Sequence, residues 1–164
     1  MTDDPDLAER LAALERRVAA LEGRPAESIP DTPGGVVGYQ GELTEPGELR
    51  WAIRLAAPAV LALPDGPRVE VLAALANPVR IALVRALAQD GAQTGAALQE
   101  AAGLGSPGQL YHHLKALTSA GLVEQDRRGS YRLRPAATIP ALVLLTAAAD
   151  VAGQLRPGVR NQNG

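Results

Sequence analysis

Apolar residues recur along the chain at two spacings, and each predicts a different element. Leu7, Leu11, Leu14, Val18 and Leu21 stand 4, 3, 4 and 3 residues apart, a heptad seam. Asp6 is placed to cap this helix, and Gly23 with Pro25 stops it. Residues 1–23 therefore read as an amphipathic helix. A strict 3.5-residue repeat favours a short coiled coil between two chains; the alternative is a helix packed on its own domain. Residues 24–34 contain three prolines and read as an extended linker. Beyond it, Leu49, Trp51 and Ile53 alternate with Arg50, Ala52 and Arg54, and β-forming residues flank Pro46-Gly47. That is a β-hairpin with one apolar face, which must lie on something because a lone hairpin is marginal in water. Residues 57–63 are apolar around Pro58 and are assigned to no element, so 35–66 stand as hairpin plus connecting segment.

From Pro67 the period becomes helical. Val69, Val71, Leu72 and Leu75 make a first helix. Asn77-Pro78 is an N-cap followed by proline at the first helical position, and it starts a second helix that carries Ile81, Val84 and Leu87 and ends at Asp90-Gly91. Thr94 caps a third, which stops at Gly103-Leu104-Gly105. Ser106-Pro107-Gly108-Gln109 has capping-box spacing and opens a fourth over 106–119. Leu110, His113, Leu114 and Leu117 share one face of it, leaving Gln109, Tyr111, His112 and Lys115 on the others. Gly121 ends it, and 122–126 and 130–134 alternate like strands around Arg127-Arg128-Gly129, a second hairpin with a basic tip. Ile139-Pro140 is expected to start a last helix, apolar on more than one face, with Leu142, Val143 and Leu145 on a dimer seam. The tail 156–164 is expected to be loose.

This order predicts a mainly α fold with small β content: a winged helix-turn-helix over 67–155, with an N-terminal coiled-coil helix and an additional β-hairpin. Composition narrows the chemistry. The chain of 164 residues has no Cys, so disulfides, thiolate metal sites and thiol catalysis are excluded. Its net charge of −2 is uneven: residues 1–65 carry 6 Arg against 12 acids, whereas 66–164 carry 10 basic residues against 6 acids. A polyanion would meet the second part. The acidic start has no apolar stretch of a secretory signal, and the run around Ile139 to Ala149 is too short to span a bilayer, so a cytoplasmic protein is expected.

In a helix-turn-helix the fourth helix offers its N-terminus to phosphate and its exposed side chains to base edges. Thr94, Ser106, Gly108, Gln109, Tyr111, His112 and Lys115 are the candidate contacts there. Arg127, Arg128, Ser130, Arg132 and Arg134 are the candidates on the wing. Three segments carry a resemblance. Leu75-Ala76-Asn77-Pro78-Val79-Arg80 through Val84, the stretch Gly108-Gln109-Leu110-Tyr111-His112-His113-Leu114, and Ala120-Gly121-Leu122-Val123 resemble motifs of ArsR-like winged-helix repressors, the second that of a "GQLYHHL" subgroup. The resemblance covers about 67–154. It implies a homodimeric repressor of double-stranded DNA, commonly one that senses a metal or another signal. The chain departs from the metal-sensing members, having no thiol in 94–97.

Other readings stand beside these. His113, on the apolar face, reads as a half-buried structural histidine. Adjacent helical histidines point about 100° apart and make poor partners for one ion, so no metal is expected. Tyr111 reads as a DNA contact or as a cover for the wing. Trp51 reads as core or, with Tyr39, as the wall of a pocket for an unknown effector. No nucleophile, phosphate loop or metal-ligand pattern argues for an enzyme, and no cofactor is expected. The rival to a DNA-binding regulator is a winged helix turned to protein binding or assembly.

Overall fold

The computed structural model of the chain describes residues 32–44, 48–126 and 129–155. The elements in order are β1 (Val36–Leu43), β2 (Leu49–Ala56), α1 (Ala57–Leu61), α2 (Asp65–Leu75), α3 (Pro78–Asp90), β3 (Gln93–Thr94), α4 (Gly95–Ala101), α5 (Pro107–Ser119), β4 (Val123–Gln125), β5 (Ser130–Leu133) and α6 (Pro135–Val151). The heptad residues Leu7, Leu11, Leu14, Val18 and Leu21, the wing-tip Arg127 and Arg128, and the tail 156–164 lie outside the described residues. The chain forms two compact units, one of residues 1–37 and 55–61, the other of 38–54 and 62–164. In the described part of the first, Gly35 donates to Thr32 O at 2.8 Å and Ala57 to Gly35 O at 2.9 Å, which ties the start of α1 to the turn before β1.

The second unit is built on a corner. α2 and α3 meet at 87° across Ala76-Asn77. Asn77 Oδ1 accepts from the N–H groups of Val79 at 3.0 Å and Arg80 at 3.2 Å, and Pro78 takes the first helical position, where no N–H is needed. The Arg80 guanidinium turns back and donates to the carbonyls of Ala73 and Ala74, satisfying the end of α2. One short stretch thus caps both helices at the corner.

The core is alkyl throughout. Leu83, Val84 and Leu87 of α3, Leu98 of α4, and Leu110, Leu114 and Leu117 of α5 meet Leu122, Val123 and Leu133 of the wing and Ala141 of α6. Among the described residues no polar or charged residue is buried as a whole. The wing is a three-stranded antiparallel sheet of order β3-β5-β4, with Thr94 opposite Ser130 and Glu124 opposite Arg132. The hairpin of 122–134 was legible; β3, two residues long, is too short to alternate and was not. The result is the winged helix-turn-helix that the element order predicts.

Three boundaries differ from the sequence reading. Residues 57–61, left unassigned, form α1, and α2 starts at Asp65 instead of Pro67. The last helix starts at Pro135, not at Ile139. Both Pro135 and Pro140 satisfy a first-position rule, and Pro135 takes it; Pro140 then sits inside the helix, where the carbonyl it leaves free belongs to the exposed Ala136.

The two apolar faces of α6 are both used within this unit. Ala137, Ala141, Leu144 and Leu145 pack on the core. Ile139, on the opposite side and only 2% exposed, lies against Gly41 of β1. Leu145, expected on a dimer seam, turns to the same side as Ala141 and packs partly on the core, remaining half-buried. Leu142 and Val143 stay half-buried.

A Cβ on Gly41 would come 2.4 Å from Ile139 Cγ2, inside any real contact. Gly41→Ala is expected to destabilise the protein by about 1–3 kcal/mol in urea unfolding, the usual cost of overpacking. Combined with Ile139→Ala, it is expected to cost less than the sum of the two single changes.

Candidate nucleic-acid interface

The turn between α4 and α5 is closed by side chains acting on backbone. Thr94 Oγ1 accepts from Ala97 N at 3.3 Å and opens α4. Gly103, at φ +62°, lets the chain reverse, and Gln99 Nε2 donates to Leu104 O at 3.1 Å across the turn. Ser106 Oγ accepts from Gln109 N at 3.4 Å, and Gln109 Oε1 accepts from Gly105 N at 3.2 Å. The expected capping box is thus present in a shifted form, reaching one residue further back. One of the two lone pairs of the Gln109 carbonyl oxygen is thereby engaged in the cap.

Pinned in this way, α5 buries Leu110, Leu114 and Leu117 and turns Gly108, Gln109, Tyr111, His112 and Lys115 outward. Tyr111 is 65% exposed. It shares a shallow groove of about 190 Å3 with Lys115, Thr118, Gln125 and Tyr131, which joins the helix to the wing. Ser130 is half-buried in β5 beside Thr94, and these two residues come together at the sheet. Thr118, Gln125 and Tyr131 were not singled out from sequence; their place follows only from how the wing folds against the helix.

The wing departs from expectation at Arg132. Its guanidinium donates through Nε and Nη2 to Glu124 Oε1, both at 2.8 Å, and Arg134 Nε lies 3.7 Å from Glu124 Oε2. The pair is partly exposed, so it is weak, but it neutralises the charge that was expected to stand free. Counting outward from the turn places Glu124 opposite Arg132, so this was readable.

His113 is half-buried, and its Nδ1 is enclosed without a hydrogen-bond partner. Its ring meets that of His112 edge to face, with centroids 5.5 Å apart and planes at 73°. Burial, then the neighbouring His112, then Arg80 hold its pKa below the ordinary 6.5. Among the described residues no three His, Asp or Glu side chains group as ligands for a metal, and no single helix is long and apolar enough to cross a membrane. Tyr39 and Trp51 are half-buried on the first hairpin, and Trp51 Nε1 is enclosed without a partner. The groove nearest that hairpin is lined by Leu43, Glu48 and Leu49 instead of these two aromatics.

Residues 75–126 match the family model of a helix-turn-helix domain. No curated protein matches the chain. Among solved structures, the chain is similar to the homodimeric winged helix-turn-helix DNA-binding domain of Mb0332 from Mycobacterium bovis, described as a possible ArsR-family transcriptional regulator. The identity is 30%, covering 61% of this chain and 92% of that one, with a TM-score of 0.47. NolR from Sinorhizobium fredii is 24% identical over 60% of this chain and 95% of its own, with a TM-score of 0.47. The transcriptional repressor BigR from Xylella fastidiosa is 30% identical over 51% and 84%, with a TM-score of 0.41.

The lowered pKa of His113 links stability to pH. Folding favours the neutral ring, while the unfolded chain takes up the proton near 6.5. The contribution is therefore whole above that pH and is lost as pH falls through it toward the folded value. Denaturant midpoints between pH 7.5 and 5 are expected to fall, and His113→Leu is expected to flatten the decline.

Proposed function

We propose that the chain is a sequence-specific transcriptional regulator, a repressor, acting as a homodimer on a palindromic DNA site in the cytoplasm. α5 enters the major groove and the wing meets the backbone. The observation that carries this is the division of α5: three leucines buried, and Gln109, Tyr111, His112 and Lys115 in a polar row on a helix fixed at its start by Ser106. A rigid helix holds side chains at the spacing that base edges demand. Ser106, Gly108 and Thr94 border the N-terminal N–H groups, where phosphate is favoured. Nothing in this arrangement calls for a cofactor or supports catalysis, and the absence of Cys points control away from thiolate-bound metal.

A second reading, a protein-binding or assembly module, has one observation in its favour: Glu124 ties up Arg132, which lowers the positive charge of the described part of the wing. Duplex binding at several salt concentrations separates the two, since only a polyelectrolyte contact weakens steeply with salt. Genome-wide recovery of bound DNA would then give the site. Lys115→Ala is expected to weaken all duplexes alike and lower the salt slope by about one unit. His112→Ala is expected to cost about 1–3 kcal/mol on the recovered site and little on scrambled DNA. Loss of affinity on no duplex, because none binds, would give the function to the second reading.

Self-association is assigned to the side of α6 beyond Ile139, where Leu142 and Val143 are half-buried, with Leu7, Leu11, Leu14, Val18 and Leu21 as a second seam. Two-fold symmetry would set the paired α5 helices about 34 Å apart, one duplex turn. Val143→Asp is expected to yield folded monomers in sedimentation, whereas the parent sediments as a dimer at micromolar concentration.

A further inference from the structure

A second concavity lies away from α5, between the first hairpin and the wing. It measures about 440 Å3, within the range of about 300–1,000 Å3 typical of small-molecule sites. Leu43 and Leu49 of the hairpin, Leu87 of α3 and Leu133 of β5 supply its apolar lining. Its charged lining is one-sided. Among the described lining residues Glu48, Asp90 and Asp126 bring carboxylates, and the one basic residue, Arg132, is held by Glu124. No hydrogen bond or ion pair ties the carboxylate of Asp90 or Asp126 to another described residue. Glu48 shares only an exposed contact of 3.3 Å with Arg50.

We propose that this groove binds a small organic cation with an apolar body, such as an aryl-alkyl amine. A bare inorganic cation would gain nothing from four leucines, and no metal-ligand group is present among the described residues. An anion would be repelled by three carboxylates, and a neutral apolar molecule would leave their charge unanswered. An amine with a hydrophobic body matches both halves: the leucines remove its body from water, and the ammonium stays at the wet rim beside Asp90 and Asp126. Such a ligand would touch the hairpin, the end of α3 and the wing together, so it would bias the wing against the helix-turn-helix. That consequence rests on the DNA-binding reading above; the binding itself does not.

The test uses the full chain and three probes of like size: 4-phenylbutylamine, 4-phenyl-1-butanol and 4-phenylbutanoate. Affinity is read by calorimetry and location by the methyl resonances of Leu43, Leu49, Leu87 and Leu133. The amine is expected to bind one site and shift those methyls, with the alcohol weaker and the butanoate weakest. Asp90 is exposed and Asp126 half-buried, and neither carboxylate is tied to another described residue, so Asp90→Asn with Asp126→Asn, which keeps the side-chain size, is a change the fold should tolerate. It is expected to weaken the amine about five- to tenfold, as two solvent-screened charge contacts would, and to leave the alcohol unchanged. Equal affinity for amine and alcohol, an unaltered amine affinity in the double variant, or silent methyls would each overturn the proposal. Duplex binding is measured separately. Amine binding without duplex binding upholds the groove and rejects the DNA reading; the converse rejects the groove alone.

Discussion

The burial of one leucine face of α5 is the constraint on which the rest of the second unit depends. Leu110, Leu114 and Leu117 are at most 5% exposed, and fully burying such side chains is worth about 1.5–3 kcal/mol each. They are buried against α3, α4 and the wing, so the three elements are fixed by the same contact. Because a helix repeats every 3.6 residues, burying that stripe determines what is left outside. Gln109, His112 and Lys115 are exposed because they cannot also be inside. The polar row is therefore a geometric consequence of the core, and its stiffness comes from the same packing.

The corner between α2 and α3 performs the complementary task at the far side of the core. Two helices meeting at 87° leave a carbonyl end and an N–H end near each other without partners. Asn77 answers the second and Arg80 the first, through four hydrogen bonds. Arg80 is engaged at this corner, and after burial and His112 its charge adds to the lowering of the His113 pKa. The stretch Asn77-Pro78-Val79-Arg80, read from sequence as a helix start and as part of a family motif, serves two helices and acts on α5 through His113.

Legibility followed length and capping chemistry. α3, α4 and α5 were readable because Asn77, Thr94 and Ser106 mark their starts and Gly91, Gly103 and Gly121, all at positive φ, mark their ends. α6 was misplaced because two prolines competed for one first position, and local rules do not rank them. α1 was missed because five apolar residues have no period to show. In the interface, exposure of Gln109, Tyr111, His112 and Lys115 was readable from the stripe they leave empty. The hydrogen bond from Gly105 to Gln109's carbonyl oxygen and the pairing of Arg132 with Glu124 were not anticipated, because both depend on where a side chain reaches after the backbone is set. Pair register would have exposed the second; nothing local would have exposed the first.

The apolar character of α6 links these observations to the hairpin. A helix that covered only the core would need one apolar face, but this one has two. Ala137, Ala141 and Leu145 close the core, and Ile139 receives β1 at Gly41, where the absence of a side chain allows the strand to come that close. The approach has a physical corollary. A strand seated on α6 brings the turn end of the hairpin beside α3 and the wing, and the apolar groove lined by Leu43, Leu49, Leu87 and Leu133 is the space that remains between them. Interiors pack tightly when facing surfaces fit; here the fit is made at Gly41 and is left open at Leu49. The same hairpin that covers Ile139 of α6 therefore creates a concavity, one that borders the wing through Leu133 and α3 through Leu87, the two elements against which α5 is held.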